Sequence, residues 1–167
     1  AFYLVQVDLF GPFLASSEHN FRSKVKIWGC VFKCMSTLSV WVECLTKSDV
    51  GAVLQGYVRF SARFGHVGKL HIDPGSQLLA FCKGASFSFA DLTRQMNGKY
   101  GVSVDYEVCS AGSHQAQGQA ERSIREIRRI FSATFRGLKL DVMSYATAFA
   151  FISNQLNNIP IGIFGRY

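Results

Sequence analysis

The sequence is short of acid. Its 167 residues hold 11 Asp and Glu against 18 Lys and Arg, a formal net charge of +7. A compact domain with that excess usually meets an anion, and nucleic acid is the commonest one. Charged residues of both signs make up only 17% and hydrophobic residues 49%, which excludes intrinsic disorder on composition. No apolar run reaches the roughly 18 residues that a membrane span needs. No basic stretch with an apolar run and a cleavage site opens the chain, so secretion is not expected. Proline is scarce: Pro12, Pro74 and Pro160 each fall just past a predicted element. The five cysteines, an odd number at irregular spacing, argue against a disulfide framework and for a reducing, intracellular setting. No two close pairs of Cys or His offer the four ligands of a zinc site. With no internal repeat, linker or low-complexity segment, one domain over residues 1–167 is expected.

What is there is strongly patterned. Phe2–Phe10 is rich in β-branched and aromatic residues and stops at Gly11-Pro12, predicting a strand closed by a turn. Lys24–Met35 and Leu38–Leu45 are two further β-rich runs, so an antiparallel meander is expected. The period then changes. Val50, Val53, Leu54, Tyr57 and Phe64 recur at helical spacing, with Ser48 placed as the cap, Asp49 in the first turn and Gly65 as terminator. Lys69–Asp73 reads as a fourth strand, Phe87–Tyr100 as a helix, Val102–Val108 as a fifth strand and Gly112–Gly118 as a loop. A long helix is expected from about Gln117 to Phe135, with Ile124, Ile127 and Phe131 on one face. A last helix from Asp141 to about Asn157 turns Val142, Tyr145, Phe149, Ile152 and Leu156 inward. The order βββαβαβαα predicts an α/β fold: a five-stranded mixed sheet, three antiparallel strands plus two crossover strands, flanked by helices.

Three carboxylates fall where chemistry favours them. Asp8 lies inside the first strand, where a charge is costly unless paired, hydrogen-bonded or bound to metal. Asp73 ends the fourth strand, at the lip where α/β sheets tend to carry their sites. Glu121 sits in the first turns of a helix that follows a glycine-flanked loop. Hard divalent cations take such oxygen ligands, and two ions about 4 Å apart can activate an attacking oxygen and stabilise a leaving one. Each residue also has an ordinary structural reading: a buried Asp that caps a turn, or a Glu that complements a helix dipole.

The segments Val7-Asp8-Leu9-Phe10-Gly11-Pro12, His71-Ile72-Asp73-Pro74-Gly75-Ser76-Gln77 and Ser113-His114-Gln115-Ala116-Gln117-Gly118-Gln119-Ala120-Glu121-Arg122 together resemble the three signature segments of retroviral and LTR-retrotransposon integrases. The resemblance covers nearly the whole chain as that family's catalytic core. It implies an RNase H-like fold in which Asp8, Asp73 and Glu121 form a DDE triad holding two Mg²⁺ (or Mn²⁺) ions. It implies 3′-end processing of element DNA followed by strand transfer into target DNA, with a homodimer or higher homo-oligomer and no membrane as its setting. The nucleus, or the element's particle or integration complex, is then the expected location. The family's flanking zinc-binding and C-terminal DNA-binding domains are expected to be missing from this chain. Between Asp73 and Glu121 lie 47 residues, more than retroviral cores usually have, with the extra length expected in Leu79–Ser88. That spacing is closer to BEL/Pao-type retroelements. Pro74 stands where Asn is common, removing a side-chain donor near the metals, and His114 stands where Pro is usual.

Basic groups surround the triad. Arg122, Arg125, Arg128 and Arg129 punctuate the helix of Glu121, and positions 121, 125 and 128 share a face. Arg125 and Arg128 match the family's positions that contact the element's DNA end; the alternative is a solvated face with an ordinary Glu121–Arg125 pair. Gln117 and Gly118 match the family's mobile, DNA-touching loop, or else form a glycine-bearing helix start. His71, on the strand face of Asp73, either supports the metal ligands from behind or is a polar strand residue with a local partner. Lys24, Lys26, Lys33, Arg59, Arg63, Lys69 and Lys99 are further candidates for a DNA surface. Two rival functions stand beside the integrase. A domesticated or decayed copy would bind DNA or protein without catalysis, although the intact triad weighs against decay. An RNase H-type nuclease usually adds a fourth carboxylate and lacks the Gln-x-Gly segment seen here.

Overall fold

A computed structural model describes residues 1–17, 19–20, 22–47, 49–72, 89–101, 105–108 and 114–159. Three strands come first, β1 (Leu4–Ser16), β2 (Lys24–Cys34) and β3 (Val40–Leu45). They are followed by α1 (Val50–Phe64), β4 (Lys69–Ile72), α2 (Phe89–Tyr100), β5 (Asp105–Val108), α3 (His114–Phe135) and α4 (Val142–Asn157). The strands form one sheet in the order β3-β2-β1-β4-β5. β1–β2 and β2–β3 are antiparallel, β1–β4 and β4–β5 parallel. This is the mixed five-stranded sheet that the sequence predicts, in the predicted element order. No helix among the described residues is long and apolar enough to cross a membrane.

Strand alternation sorts side chains onto two faces. Val5, Val7 and Leu9 of β1, with Cys30 and Phe32 of β2, pack against Val53, Leu54, Tyr57 and Phe60 of α1. Phe10, Ile27, Val31, Val40 and Val42 pack on the opposite face against Ile127 of α3 and Tyr145, Phe149 and Ile152 of α4. α4 also closes the sheet edge. Ser153 Oγ accepts from the Val42 N–H at 3.0 Å, and Asn157 accepts from the Val40 N–H at 2.7 Å and donates to the Val40 carbonyl at 2.8 Å. These bonds occupy backbone groups that an edge strand would otherwise offer to another chain.

Predicted boundaries move at β1 and at α1. Gly11-Pro12 does not end the first strand; β1 runs on to Ser16 through a bulge, with Gly11 and Pro12 together opposing Trp28 between the pairs Phe10–Gly29 and Phe13–Ile27. Gly11 takes φ 125°, open to glycine and rarely to other residues, and a bulge tolerates the missing N–H of Pro12. The α1 cap is Asp49 rather than Ser48, which lies outside the described residues. The Asp49 carboxylate accepts from the Ala52 N–H at 2.7 Å, and Gly65 ends the helix as expected. Asp73, Leu79–Ser88 and Gly112 also lie outside the described residues.

Gly29 is required by its cross-strand partner. A Cβ there would sit 2.3 Å from the ring of Phe10, which is buried and fills the space of the missing side chain. Gly29→Ala is therefore expected to cost about 1–3 kcal/mol by overpacking, read as a lower urea midpoint at unchanged slope.

Candidate active site

Asp8 lies in the middle of β1, opposite Val31 of β2 and partly buried. Its neighbours Val7 and Leu9 belong to the α1 face, so Gln6, Asp8 and Phe10 share the face covered by α3 and α4. The Asp8 Oδ1 accepts the Leu9 N–H at 2.8 Å. On β2, burial raises the Cys30 thiol well above its usual range, and the charges of Glu43 and Asp8 push the same way.

Glu121 is exposed on α3. The helix is seated by the expected stripe of Ile124, Ile127 and Phe131 and packs against β1 and α4. The helix of Glu121 therefore lies on the sheet face that carries Asp8. Arg125 and Arg128 follow Glu121 one and two turns along the exposed side, and Arg122 is exposed as well. Arg129 pairs with Glu126 at 2.9 Å, whereas no Glu121–Arg125 pair occurs among the ion pairs of the described residues. The ordinary helix-face couple is thus not what these two residues form.

Asp73 follows Ile72, the last residue of β4, and is outside the described residues, so two of the three carboxylates are located. No cluster of three or more His, Cys, Asp or Glu able to hold a metal occurs among the described residues. Gln117 and Gly118 fall in the first turns of α3, not in the expected loop, which gives up residues 114–118 to the helix. Gln and Ala are good helix formers, and one glycine among them does not outweigh that preference.

A polar rung crosses four strands beside Asp8. Lys33 of β2 pairs with Gln6 of β1, Gln6 with His71 of β4, and His71 with Glu107 of β5. His71 is partly buried. Glu107 pairs with Lys69 at 2.9 Å, and this hydrogen-bonded contact holds the carboxyl below its usual pKa and the ammonium above. Gln6 is 3% exposed, and its Oε1 has no hydrogen-bond partner among the described residues. Lys33 is only 7% exposed, and its Nζ donates to Ser123 Oγ of α3 at 2.7 Å. Burial, then the nearby charge of Arg122, lowers the Lys33 pKa.

The candidate DNA surface loses Lys33. Lys33 is buried, Arg59 bonds Glu43 at 2.8 Å, Arg63 lies 4.3 Å over the Trp41 ring, and Lys69 is held by Glu107. Lys24 and Lys26 are exposed. Sequence reasoning missed Gln6, Lys33 and Ser123 as groups near the site. Its one available signal was a lysine interrupting the apolar run Val31–Cys34.

No protein-family description matches the chain, and no curated protein does. Solved structures do resemble it. The catalytic core domain of BIV integrase superposes with a TM-score of 0.55 at 18% identity, covering 98% of this chain and 88% of that one. The HTLV-2 integrase catalytic core domain in complex with magnesium, in a trimeric form, gives 0.56 at 14% identity over 96% and 88%. The simian T-cell lymphotropic virus intasome in complex with PP2A regulatory subunit B56 gamma gives 0.57 at 12% identity; 99% of this chain is covered but only 51% of that one. At these identities the likeness establishes the fold, the RNase H-like fold of retroviral integrase catalytic cores.

Proposed function

We propose that the chain is the catalytic core of a retroelement integrase of BEL/Pao-like kind, a polynucleotidyl transferase dependent on divalent metal. One observation carries this reading: Asp8 lies mid-strand on the sheet face covered by the helix that bears Glu121. The fold likeness over nearly the whole chain and the three motif segments support it.

In this reading Asp8, Asp73 and Glu121 hold two Mg²⁺ (or Mn²⁺) ions. A partly buried carboxylate in mid-strand and an exposed one on the helix above that face are hard oxygen donors, the kind Mg²⁺ takes. When bound, such ions activate the attacking oxygen and stabilise the leaving oxygen of an in-line displacement. The protein's own part is placement. Arg122, Arg125 and Arg128 neutralise phosphates of the element's DNA end, Gln117 and Gly118 let the start of α3 approach that end, and His71 supports the carboxylates from the neighbouring rung. Water is the nucleophile in 3′-end processing and the freed 3′-hydroxyl in strand transfer to target DNA. The chain is a single domain that works as a homo-oligomer, in the nucleus or within the element's particle.

The test is joining of oligonucleotides that mimic element ends in Mg²⁺ or Mn²⁺, comparing the wild type with Asp73→Asn. Metal-dependent joining by the wild type, lost in the variant, is the expected result. Joining that survives the substitution overturns the triad. Cleavage of RNA–DNA hybrids without joining points to a nuclease, and DNA binding without turnover in either metal to a binding module.

A further inference from the structure

Lys33 sits where a cation is costly. It lies in the β2 run Val31, Phe32, Lys33, Cys34, every member of which is buried. Its ammonium reaches across to α3 and donates to Ser123 Oγ at 2.7 Å. Ser123 is itself only 6% exposed and lies two residues beyond Glu121. On the next strand the register partner of Lys33 is Gln6, two residues before Asp8 on the same face, with a carbonyl oxygen that has no partner among the described residues. One side chain thus joins β2 to α3 on the rung adjacent to one candidate ligand, within a turn of another. A buried charge is weak evidence for stability, since an apolar residue of similar length often fills such a site as well.

We propose that Lys33 is a positioning residue: through Ser123 it fixes the N-terminal half of α3 against the sheet and so sets the separation of Glu121 from Asp8. The proposal rests on the reading of those two carboxylates as metal ligands. It assigns a purpose to the desolvated ammonium and to the buried hydroxyl. Partners of this outer kind typically change metal affinity when removed, by about 10- to 100-fold.

The experiment is calorimetric titration of Mn²⁺ into the wild type, Lys33→Met, Ser123→Ala, Ser123→Thr and Asp8→Asn, with a thermal midpoint for each. Lys33→Met and Ser123→Ala are expected to weaken Mn²⁺ binding about 10-fold, Lys33→Met without a fall in the midpoint and Ser123→Ala with one, because it strips an acceptor from a buried ammonium; Ser123→Thr, which keeps the hydroxyl, restores both. Should Lys33→Met not fold, the Ser123 pair gives the same comparison. Asp8-dependent binding that Lys33→Met and Ser123→Ala leave unchanged overturns this proposal alone. A wild type that takes up no Mn²⁺ overturns the metal-site reading and this proposal with it.

Discussion

Asp8→Asn is expected to cut metal-dependent joining of DNA ends about a thousand-fold, roughly 4 kcal/mol of transition-state stabilisation, while the urea midpoint stays within scatter of the wild type. The two halves of this expectation come from different atoms of one side chain. Oδ1 holds the Leu9 N–H at 2.8 Å, and an asparagine oxygen accepts that bond equally well. Volume and shape are conserved too, so the β1–β2 pairing around Asp8 and Val31 has no reason to change. What disappears is the charge, and with it most of the attraction for a divalent ion. Glu121→Gln should behave alike, with still less effect on stability, since Glu121 is exposed. Joining that persists near wild-type rates in Asp8→Asn removes Asp8 from the machinery. A lowered midpoint in parallel with lost activity would instead assign Asp8 a structural role.

How much of this was legible in the sequence follows from how local each signal is. The apolar stripes of α3 and α4 are helical periodicities, and Ile124, Ile127, Phe131, Tyr145, Phe149 and Ile152 fall on the core side as read. Asp8 was conspicuous because a carboxylate in an apolar strand breaks a two-residue period. The failures involve partners distant in sequence. Gly11-Pro12 reads locally as a stop, but β2 supplies a single residue, Trp28, opposite the pair and turns the stop into a bulge. Ser153 on α4 carries no local signal, yet it is fully buried and bonds the β3 edge. Lys33 was read as surface charge because its acceptor, Ser123, is 90 residues away in the chain.

Phe149→Ala carries the largest expected effect on the fold and tests how the site is held. The ring is fully buried in α4, with centroids 5.7 Å from Phe10 and 5.9 Å from Phe13 on β1, and 6.1 Å from both Phe131 on α3 and Tyr145. It thus touches two rings of β1, one of α3 and one of its own helix. Truncation should cost about 3–5 kcal/mol, against a total stability of about 5–15 kcal/mol for a domain, and lower the thermal midpoint by roughly 10 °C. Phe151→Ala is the internal control: its ring is 43% exposed and meets Phe135 edge-on, so about 1 kcal/mol or less is expected. The position of Phe149 adds a second consequence. Phe10 follows Asp8 by two residues on the same strand face, and Phe131 lies on the helix of Glu121. The cavity left by truncation opens between the elements that carry the two carboxylates. Well below its midpoint, Phe149→Ala should therefore bind Mn²⁺ more weakly than Phe151→Ala does. Equal binding by the two variants would mean that the aromatic core does not set the spacing of the site.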